Sequence, residues 1–425
     1  MKDLSIGFSS KKGSFAVFAL MAFFSITILI FASVRSAGNL AIGSVSYGFG
    51  RLWGKSILAE YDIFLKERYG LMAFLGDDIS TAKKIDIYKD YSFGDKEYIE
   101  SSDTSCSLKE YALTEKDNMK KQIEKIVLSG FVPQRYEDAD RSEDMTEGET
   151  ADRRISSRWI IEGLPSYGKA DKSYLAGLAD KIKSGISLSG IVGNAAADRY
   201  ISVFFKNHMD DKDLKETYFR CETEYIISGE PDEAKARKNT AAKIKTLRNM
   251  LNLYYLYTCS EKREIAMAAA SAVTPGPAAL LTQAVILELW AYAEAENDLK
   301  ILYDKKTVPL LKDDTNWALS IENVLGNGSL QTEESAEKED AGEEGTSYIA
   351  PKVMRGEDYS SYLSVLLCGI SEDTKIMRIM DIIQINMKYL YSDTSLLKEY
   401  NTGLRYQFNV NGQGYEFEIV FTYFE

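Results

Sequence analysis

Residues that could carry out chemistry are scarce in this sequence, and the first to consider is its single histidine, His208. A Ser-His-Asp or Cys-His catalytic group would have to use this imidazole, and a zinc site with several histidine ligands is excluded. His208 stands in the stretch KNHMDDKD, where we expect a helix to end. An imidazole is stable at a helix end without any catalytic role. The sequence therefore favours a structural role for His208.

Two stretches resemble binding motifs, but each lacks a residue that its motif requires. Residues 48–56, GFGRLWGKS, end like a phosphate-binding loop, yet Phe49 occupies the position of the loop's first glycine. Residues 138–149, DADRSEDMTEGE, place oxygen-bearing side chains at calcium-loop spacing, but Glu143 stands where that loop needs glycine for its sharp turn. We therefore expect no nucleotide site and no specific calcium site, and no motif predicts a cofactor or another metal.

The acidic residues leave one enzymatic hypothesis open. The chain has 64 of them, and a hydrolase that works with a pair of carboxylates needs only two that converge. Sequence spacing does not show which pairs converge in three dimensions. A carboxylate-dependent hydrolase that works outside the cytoplasm is therefore kept among the functional hypotheses.

The four cysteines are widely spaced and include no CxxC pair, which argues against zinc binding and thioredoxin-like redox chemistry. They are Cys106, Cys221, Cys259 and Cys368. Four cysteines are also too few to form a disulfide scaffold in so long a chain. The sequence favours buried free thiols, with disulfides as the alternative.

The net charge of −13 comes almost entirely from two short acidic stretches. Residues 137–149 and 333–344 each hold seven acidic residues against one basic residue. Both are poor in apolar residues, so we expect solvated acidic loops near residues 137–150 and 327–350. The remaining chain is close to neutral. Nucleic acid is therefore not expected as a partner.

The element that must position any functional group begins with an apolar run, Phe15–Val34, that has no charged residue. At about 1.5 Å per residue this run is long enough, as a helix, to cross a bilayer core of about 30 Å. A secretory signal with a cut after Gly38 is the alternative, but the apolar region of such a signal is shorter, about 7 to 15 residues. We predict a transmembrane helix over residues 14–35 that contacts membrane lipid. Because lysines lie within the leader, residues 1–13, we expect a cytoplasmic N-terminus.

Beyond residue 35 the helical period continues, so we predict a helical stem over residues 36–75 and one long helix from about residue 14 to about 75. Gly50 and Gly54 stand at GxxxG spacing within the stem. Glycines at this spacing let another backbone approach a helix closely, either in a helix pair or in a packed fibre. Two further interpretations stay open: the glycines make room for the protein's own domain, or they break the helix.

Residues 76–425 are predicted to form an extracytoplasmic domain, so that the whole chain is of the α+β class and predominantly α-helical. Helical patterns cover about residues 108–129, 173–185, 195–209, 232–257, 260–272, 278–303, 358–368 and 372–391. Residues 218–227 alternate as a strand does, and the C-terminal stretch around Asn411 and Gly412 predicts a β-hairpin. A lone hairpin is marginally stable, so we expect the 218–227 strand to join it in a small antiparallel sheet.

Several sequence blocks resemble an uncharacterised family of membrane-anchored envelope proteins of Gram-positive anaerobes. The blocks are KGSFAVFALMAFF, ILAEYDIFLKERYGLMAF, ETEYIISG, LWAYAEAENDLKIL through TVPLLK to Trp317, DYSSYLSVLL and MRIMDIIQINMK. Members tend to be encoded beside components of tight-adherence (Tad) pilus and secretion systems, and their N-termini are similar to TadE and TadG pilin-like proteins. The resemblance implies a location in the cell envelope and protein partners in such an assembly. It implies no catalytic residue, because the family has no established activity.

The N-terminus also resembles a prepilin processing site. Lys12, Gly13 and Ser14 precede the apolar helix, and a prepilin peptidase cuts after glycine. Type IV pilins usually carry glutamate five residues after the cut, where this chain has Phe18. The predicted processing site is therefore Gly13 and Ser14, while Phe18 argues against a place in a filament shaft.

Three functions are compatible with these features. The one that the sequence favours is a non-enzymatic, membrane-anchored accessory or pilin-like component of a Tad-type apparatus. The second is a stand-alone surface adhesin or structural envelope protein that binds through exposed aromatic patches. The third is the extracytoplasmic carboxylate-dependent hydrolase.

Overall fold

The computed structural model of the protein describes residues 10–94, 99–130, 164–166, 175–184, 196–210, 217–326, 347–390 and 396–422. The acidic loop predicted near 137–150, and most of the one near 327–350, lie outside these residues. The chain divides into two compact units. The first comprises Met1–Tyr61, Phe74–Tyr111 and Asn401–Phe421, and the second comprises Asp62–Ala73, Ala112–Tyr400 and Thr422–Glu425.

The described residues are predominantly helical, as the sequence predicts. The α-helices are α1 (Ser10–Leu58), α2 (Ile63–Tyr69), α3 (Asp78–Phe93), α4 (Lys116–Ser129), α5 (Leu175–Lys183), α6 (Ala196–Phe204), α7 (Glu222–Ser228), α8 (Glu233–Thr258), α9 (Ser260–Val273), α10 (Ala279–Tyr303), α11 (Ile321–Leu325), α12 (Tyr359–Leu367) and α13 (Glu372–Leu390). The strands are β1 (Phe74–Leu75), β2 (Ser105–Ser107), β3 (Tyr400–Asn401), β4 (Gly403–Val410) and β5 (Gln413–Val420). Together these elements confirm the α+β class.

The C-terminal hairpin of the first unit is confirmed. Strands β4 and β5 pair antiparallel along their whole length. Asn411 and Gly412 join them with φ angles of 50° and 78°, the left-handed conformation that a two-residue hairpin turn needs and that these residue types adopt most easily. The third strand of this sheet is β2, which pairs with residues 405–407 of β4.

The strand predicted at residues 218–227 is wrong, because most of this segment is helix α7. In an alternating strand, Glu222 and Glu224 would share one face and point away from the other. Both carboxylates are instead buried, and every residue from Glu222 to Ile227 is buried with them. Alternation carries no information about the period when both faces of a segment are buried.

The long helix predicted from residue 14 to residue 75 ends early. α1 is continuous to Leu58, but a turn follows and α2 is a separate helix. Asp62 caps the start of α2 by accepting a hydrogen bond of 2.9 Å from the backbone N–H of Leu65. Gly70 ends it with φ of 70°, the left-handed cap that glycine adopts without a steric cost. Local capping residues therefore outweigh the continuing apolar period.

The helix predicted at residues 108–129 also differs, since α4 begins only at Lys116 after a short 3₁₀ turn, Lys109–Tyr111. The other predicted helices are present, with their ends shifted by a few residues. The centre of the second unit is α13, in which every side chain from Lys375 to Tyr389 is buried. A helix buried on all sides must find partners for its polar side chains. Asn386, for example, donates hydrogen bonds to the Tyr69 hydroxyl and to Glu222.

Candidate functional site: an apolar helix and the hairpin packed on it

The first half of α1 is an exposed apolar surface. Phe15, Phe31 and Val34 are between 65% and 74% exposed, although large apolar side chains are normally buried. Among the described residues, one helix, Phe15–Leu58, is long and apolar enough to cross a membrane. This finding is compatible with a single-pass membrane anchor.

The hydroxyl groups in the apolar segment are satisfied within the helix. Ser25 donates to the carbonyl of Met21 at 2.9 Å, and Thr27 donates to the carbonyl of Phe23 at 2.8 Å. Ser33 makes the same bond to the carbonyl one turn before it, at 2.8 Å. In a lipid environment no water is present to replace such bonds. The segment therefore carries no side-chain donor that needs solvent.

The predicted processing residues, Gly13 and Ser14, lie within α1, near its start. Phe18, where pilins usually carry glutamate, is 70% exposed. Cleavage between Gly13 and Ser14 stays a prediction.

The glycines at GxxxG spacing face the hairpin of the same unit. A Cβ atom on Gly54 would lie 2.7 Å from Cγ1 of Ile419, closer than carbon atoms pack. Gly50 is in similar contact with the ring of Phe417, and the Tyr406 hydroxyl donates a hydrogen bond to the Gly50 carbonyl. Of the interpretations left open, the structure supports the one in which the glycines make room for the protein's own domain.

An aromatic cluster formed with α3 and the hairpin fixes the same part of α1. Trp53 is only 3% exposed, and its ring centroid lies 5.6 Å from that of Phe93 and 5.3 Å from that of Phe408. Its indole N–H donates a hydrogen bond of 2.9 Å to the Ser92 hydroxyl. A buried tryptophan with its N–H satisfied is a strong packing anchor. The second half of α1 is therefore part of the core of the first unit.

Strand β5 lies along α1, and its first residues are the ones nearest to the apolar segment. Phe417 contacts Gly50, whereas the Tyr415 hydroxyl lies 3.2 Å from a Cβ position on Gly43. Gln413, at the start of β5, lines a cleft with side chains of α1 between Ala32 and Leu40. The hairpin turn is thus close to the residue where the apolar run of α1 ends.

A second cluster of polar residues lies inside the second unit, at the start of α7. Glu222 accepts a hydrogen bond of 3.1 Å from the backbone N–H of Lys206, and Glu224 accepts one of 3.1 Å from the N–H of His208. Thr223 donates its backbone N–H to the Lys206 carbonyl at 3.0 Å. Three consecutive residues of α7 therefore form hydrogen bonds with the loop that contains Lys206 and His208. Burial raises the pKa of Glu222 above its ordinary value.

His208 lies in this loop, after the end of α6, rather than at a catalytic cleft. Its Nδ1 is 2.6 Å from Oε1 of Glu224, and its side chain is 9% exposed. The ring packs edge-on against Tyr303 and Tyr359, with centroid distances of 5.3 and 4.8 Å. The Tyr359 hydroxyl also donates to Glu224, at 3.1 Å. The position agrees with the structural role that the sequence favours, although Glu224 was not identified from sequence.

A buried ionic network lies between α8, α10 and the segment that follows α10. Arg248 Nε donates to Asp298 Oδ2 at 2.9 Å, and all four side chains of the network are at most 2% exposed. Lys312 forms ion pairs with Glu294 and, at 2.6 Å, with Oδ1 of Asp298. Burial alone would raise the pKa of Asp298, but the charges of Lys312 and Arg248 outweigh it and hold that pKa below its usual range. Such a network has equal numbers of opposite charges, so its carboxylates are paired within the protein rather than available to bind a cation.

Other chemistry has little support among the described residues. In that part of the chain no group of three or more His, Cys, Asp or Glu side chains is placed to hold a metal ion. The four cysteines are free thiols, and only Cys221 among them is fully buried. Burial raises the pKa of Cys106 to about 12, which keeps this thiol protonated and unreactive at neutral pH.

Fold and site together define the chain as a predominantly helical α+β protein with one N-terminal helix compatible with membrane insertion. The chain belongs to a family of unknown function, DUF5702, which matches residues 109–412, well over half of the sequence. No curated protein and no solved structure matches the chain. The match leaves α1 outside the family region.

Proposed function

We propose that this protein is a single-pass membrane protein with a cytoplasmic N-terminus and a large extracytoplasmic part, and that it works as a non-enzymatic accessory subunit of an envelope assembly. The observation that carries the proposal is the continuity of α1 from its exposed apolar half to the half that packs on the hairpin. A helix without a break holds the folded part of the first unit at a fixed distance from the lipid. Such an arrangement suits a scaffold better than a domain on a flexible tether.

An exposed apolar surface in the second unit supports the proposal that the protein binds a protein partner. We call it the α9–α10 surface; it consists of Val273, Leu280, Leu281, Val285 and Leu289, which are between 50% and 75% exposed. The sequence from Ile265 to Leu287 has no charged residue. Contiguous exposed apolar residues typically mark an interaction site. An accessory subunit needs such a surface, whereas a membrane anchor alone does not.

The finer proposal is that the assembly is a Tad-type pilus or secretion apparatus. Its support is the resemblance of Lys12, Gly13 and Ser14, followed by an apolar helix, to a pilin-like N-terminus. Phe18 at the place of the pilin glutamate favours an accessory position over one in the filament shaft. A stand-alone adhesin is the alternative, because the same α9–α10 surface suits an extracellular ligand.

Photo-cross-linking in intact cells tests these proposals. A photoreactive residue replaces Leu281, and a matched control carries it at Lys238, an exposed polar position of the same unit. We expect Leu281, and not Lys238, to cross-link to components of a co-encoded pilus or secretion apparatus, identified by mass spectrometry. Cross-links to extracellular ligands alone would favour the adhesin. Release of the protein from membranes by alkaline extraction would contradict the anchor itself.

A further inference from the structure

We infer that Arg35 and the hairpin turn form a binding site for the phosphate group of an anionic phospholipid, at the outer surface of the membrane. The inference rests on the proposed membrane anchoring of α1. It adds a ligand and a site to that proposal, since anchoring alone requires neither a particular lipid nor a contact between lipid and the hairpin.

The depth of Arg35 is set by the apolar run before it. Phe15–Val34 is long enough to cross a hydrocarbon core of about 30 Å, and Arg35 follows immediately. A helix rises about 1.5 Å per residue, so Arg35 and Ser36 lie within a few ångströms of the end of the core. That is the level of the lipid phosphates. Because α1 continues without interruption to Leu58, nothing displaces Arg35 from the axis of the span.

At the level of Arg35, α1 and the hairpin together form a cleft. The cleft has a volume of about 390 Å³. Its lining residues are Ala32, Arg35, Ser36, Asn39, Leu40 and Gln413. Arg35, Asn39 and Gln413 supply a guanidinium and two amides, all of which donate hydrogen bonds. None of the described residues that line the cleft is acidic. One charged donor with neutral donors around it suits a phosphate, which guanidinium binds in a bidentate manner.

The far wall of the cleft is held in place before any ligand binds. Asn411 exchanges two hydrogen bonds with the backbone of Glu100, both of 2.8 Å: its N–H donates to the Glu100 carbonyl, and its Oδ1 accepts from the Glu100 N–H. Tyr415 and Phe417 then fix β5 against Gly43 and Gly50 of α1. A backbone that is fixed in advance loses little conformational entropy on binding. The backbone of Gln413 therefore needs no rearrangement to line the cleft with Arg35.

Position decides between a lipid headgroup and free phosphate as the ligand. The cleft has Leu40 and Ala32 on its helix wall and opens beside the end of a lipid-exposed apolar segment. An acyl chain next to Phe31 and Val34 keeps its phosphate near Arg35, whereas inorganic phosphate has only the donors of an exposed cleft. Phosphatidylglycerol is favoured over phosphatidylcholine because its headgroup carries no quaternary ammonium cation that would repel Arg35.

The test is lipid retention by the full chain in nanodiscs, followed by native mass spectrometry. Wild type, Arg35→Gln and Arg51→Gln are compared in discs that contain phosphatidylglycerol mixed with phosphatidylcholine. Arg51 is the matched control, since it is an exposed arginine of the same helix about 24 Å further from the membrane, at ~1.5 Å per residue. A basic residue at the membrane surface contributes about 1 kcal/mol toward anionic lipid, which corresponds to about fivefold. We expect Arg35→Gln to lower phosphatidylglycerol retention about fivefold and Arg51→Gln to leave it unchanged.

Two further measurements, one on a Gln413→Ala variant and one with added inorganic phosphate, separate the possible outcomes. Gln413→Ala should also lower retention, by a smaller factor, because it removes a neutral donor; added inorganic phosphate should not displace the lipid. Equal retention in wild type and Arg35→Gln, or an equal fall in the Arg51→Gln control, would overturn the inference, as would displacement by inorganic phosphate. Failure of the wild-type chain to enter discs at all would instead contradict the proposed anchor.

Discussion

Gly50 and Phe417 are in direct contact, and a Cβ atom on Gly50 would overlap Cζ of the Phe417 ring. Helix interiors normally disfavour glycine, by about 1 kcal/mol relative to alanine. At this position the glycine is required because β5 approaches the helix axis more closely than any side chain would allow. The contact joins the part of α1 that leaves the proposed membrane span to the C-terminal hairpin.

We predict opposite effects for two glycine substitutions that are two residues apart. Gly50→Ala should lower the free energy of unfolding by about 1 to 3 kcal/mol, because Phe417 is itself packed and the added methyl group forces a shift. Gly48→Ala should instead raise it by about 0.5 to 1 kcal/mol, since no atom lies within 4 Å of that Cβ position and alanine is the better helix former. Denaturant unfolding of both variants in detergent checks the signs. Equal effects would contradict the contact.

Trp53 should be the most sensitive large side chain of α1. Trp53→Ala removes a ring that is 3% exposed and packed on Phe93 and Phe408, so we expect a loss of about 3 to 5 kcal/mol. Leu52→Ala is the matched control, because Leu52 is 57% exposed and should change stability little. Thermal unfolding, followed by near-ultraviolet circular dichroism, measures both. A large effect at Leu52 would mean that this side of the helix is covered in the protein.

The hairpin could be predicted from local sequence, whereas the partner of the stem glycines could not. Strict alternation around Asn411 and Gly412 is a local pattern with a local cause, and the hairpin follows from it directly. The spacing of Gly50 and Gly54 predicts a close approach but not the partner, because β5 lies far away in the sequence. Pairing over such a distance depends on the whole fold rather than on any segment.

In the second unit, the local alternation of residues 218–227 led to a wrong prediction of a strand. Residues Glu222 and Glu224 look like the solvated side of a strand, yet both are buried acceptors for one loop. The available signal was composition: the two acids stand directly before the apolar run Tyr225–Ile227. Acids in such a setting are paired when they are buried. Their backbone partners, the N–H groups of Lys206 and His208, cannot be identified from residue types because every residue except proline offers the same N–H group.

The buried ionic network should respond strongly to the loss of one charge. Asp298→Asn leaves Lys312 and Arg248 without a full counter-charge inside the protein, so we expect a loss of about 3 to 5 kcal/mol. The matched control is Asp373→Asn, which breaks an ion pair with Lys116 whose members are 39% and 70% exposed. Exposed pairs contribute little to stability, so the control should unfold almost as the wild type does. Comparable losses in urea unfolding would mean that Asp298 is not the counter-charge described here.

Glu222 should make a contribution to the free energy of unfolding that depends on pH. Burial raises the pKa of this carboxyl in the folded state, although Arg68 and the hydrogen bonds from Asn386 and Lys206 oppose the shift. A group whose pKa is higher in the folded than in the unfolded state binds its proton more tightly when folded. Its contribution to stability is therefore fully present below the unfolded value, about 4.3, and is lost as pH rises through the folded pKa. Other carboxyls with lowered pKa, such as Asp298, act in the opposite direction at lower pH.

Glu222→Gln isolates this contribution, because glutamine has the same shape and does not titrate. We expect the unfolding free energy of the variant to fall less than that of the wild type as pH rises above about 4.3, so that the difference between them changes across this window. Glutamine also offers one acceptor where Glu222 uses two, for Lys206 and Asn386, so an offset that does not depend on pH should accompany the change in slope. Urea unfolding of both proteins at a series of pH values separates offset from slope. A constant difference across the series would show that Glu222 has the same pKa in the folded and unfolded states, and that its role is hydrogen bonding alone.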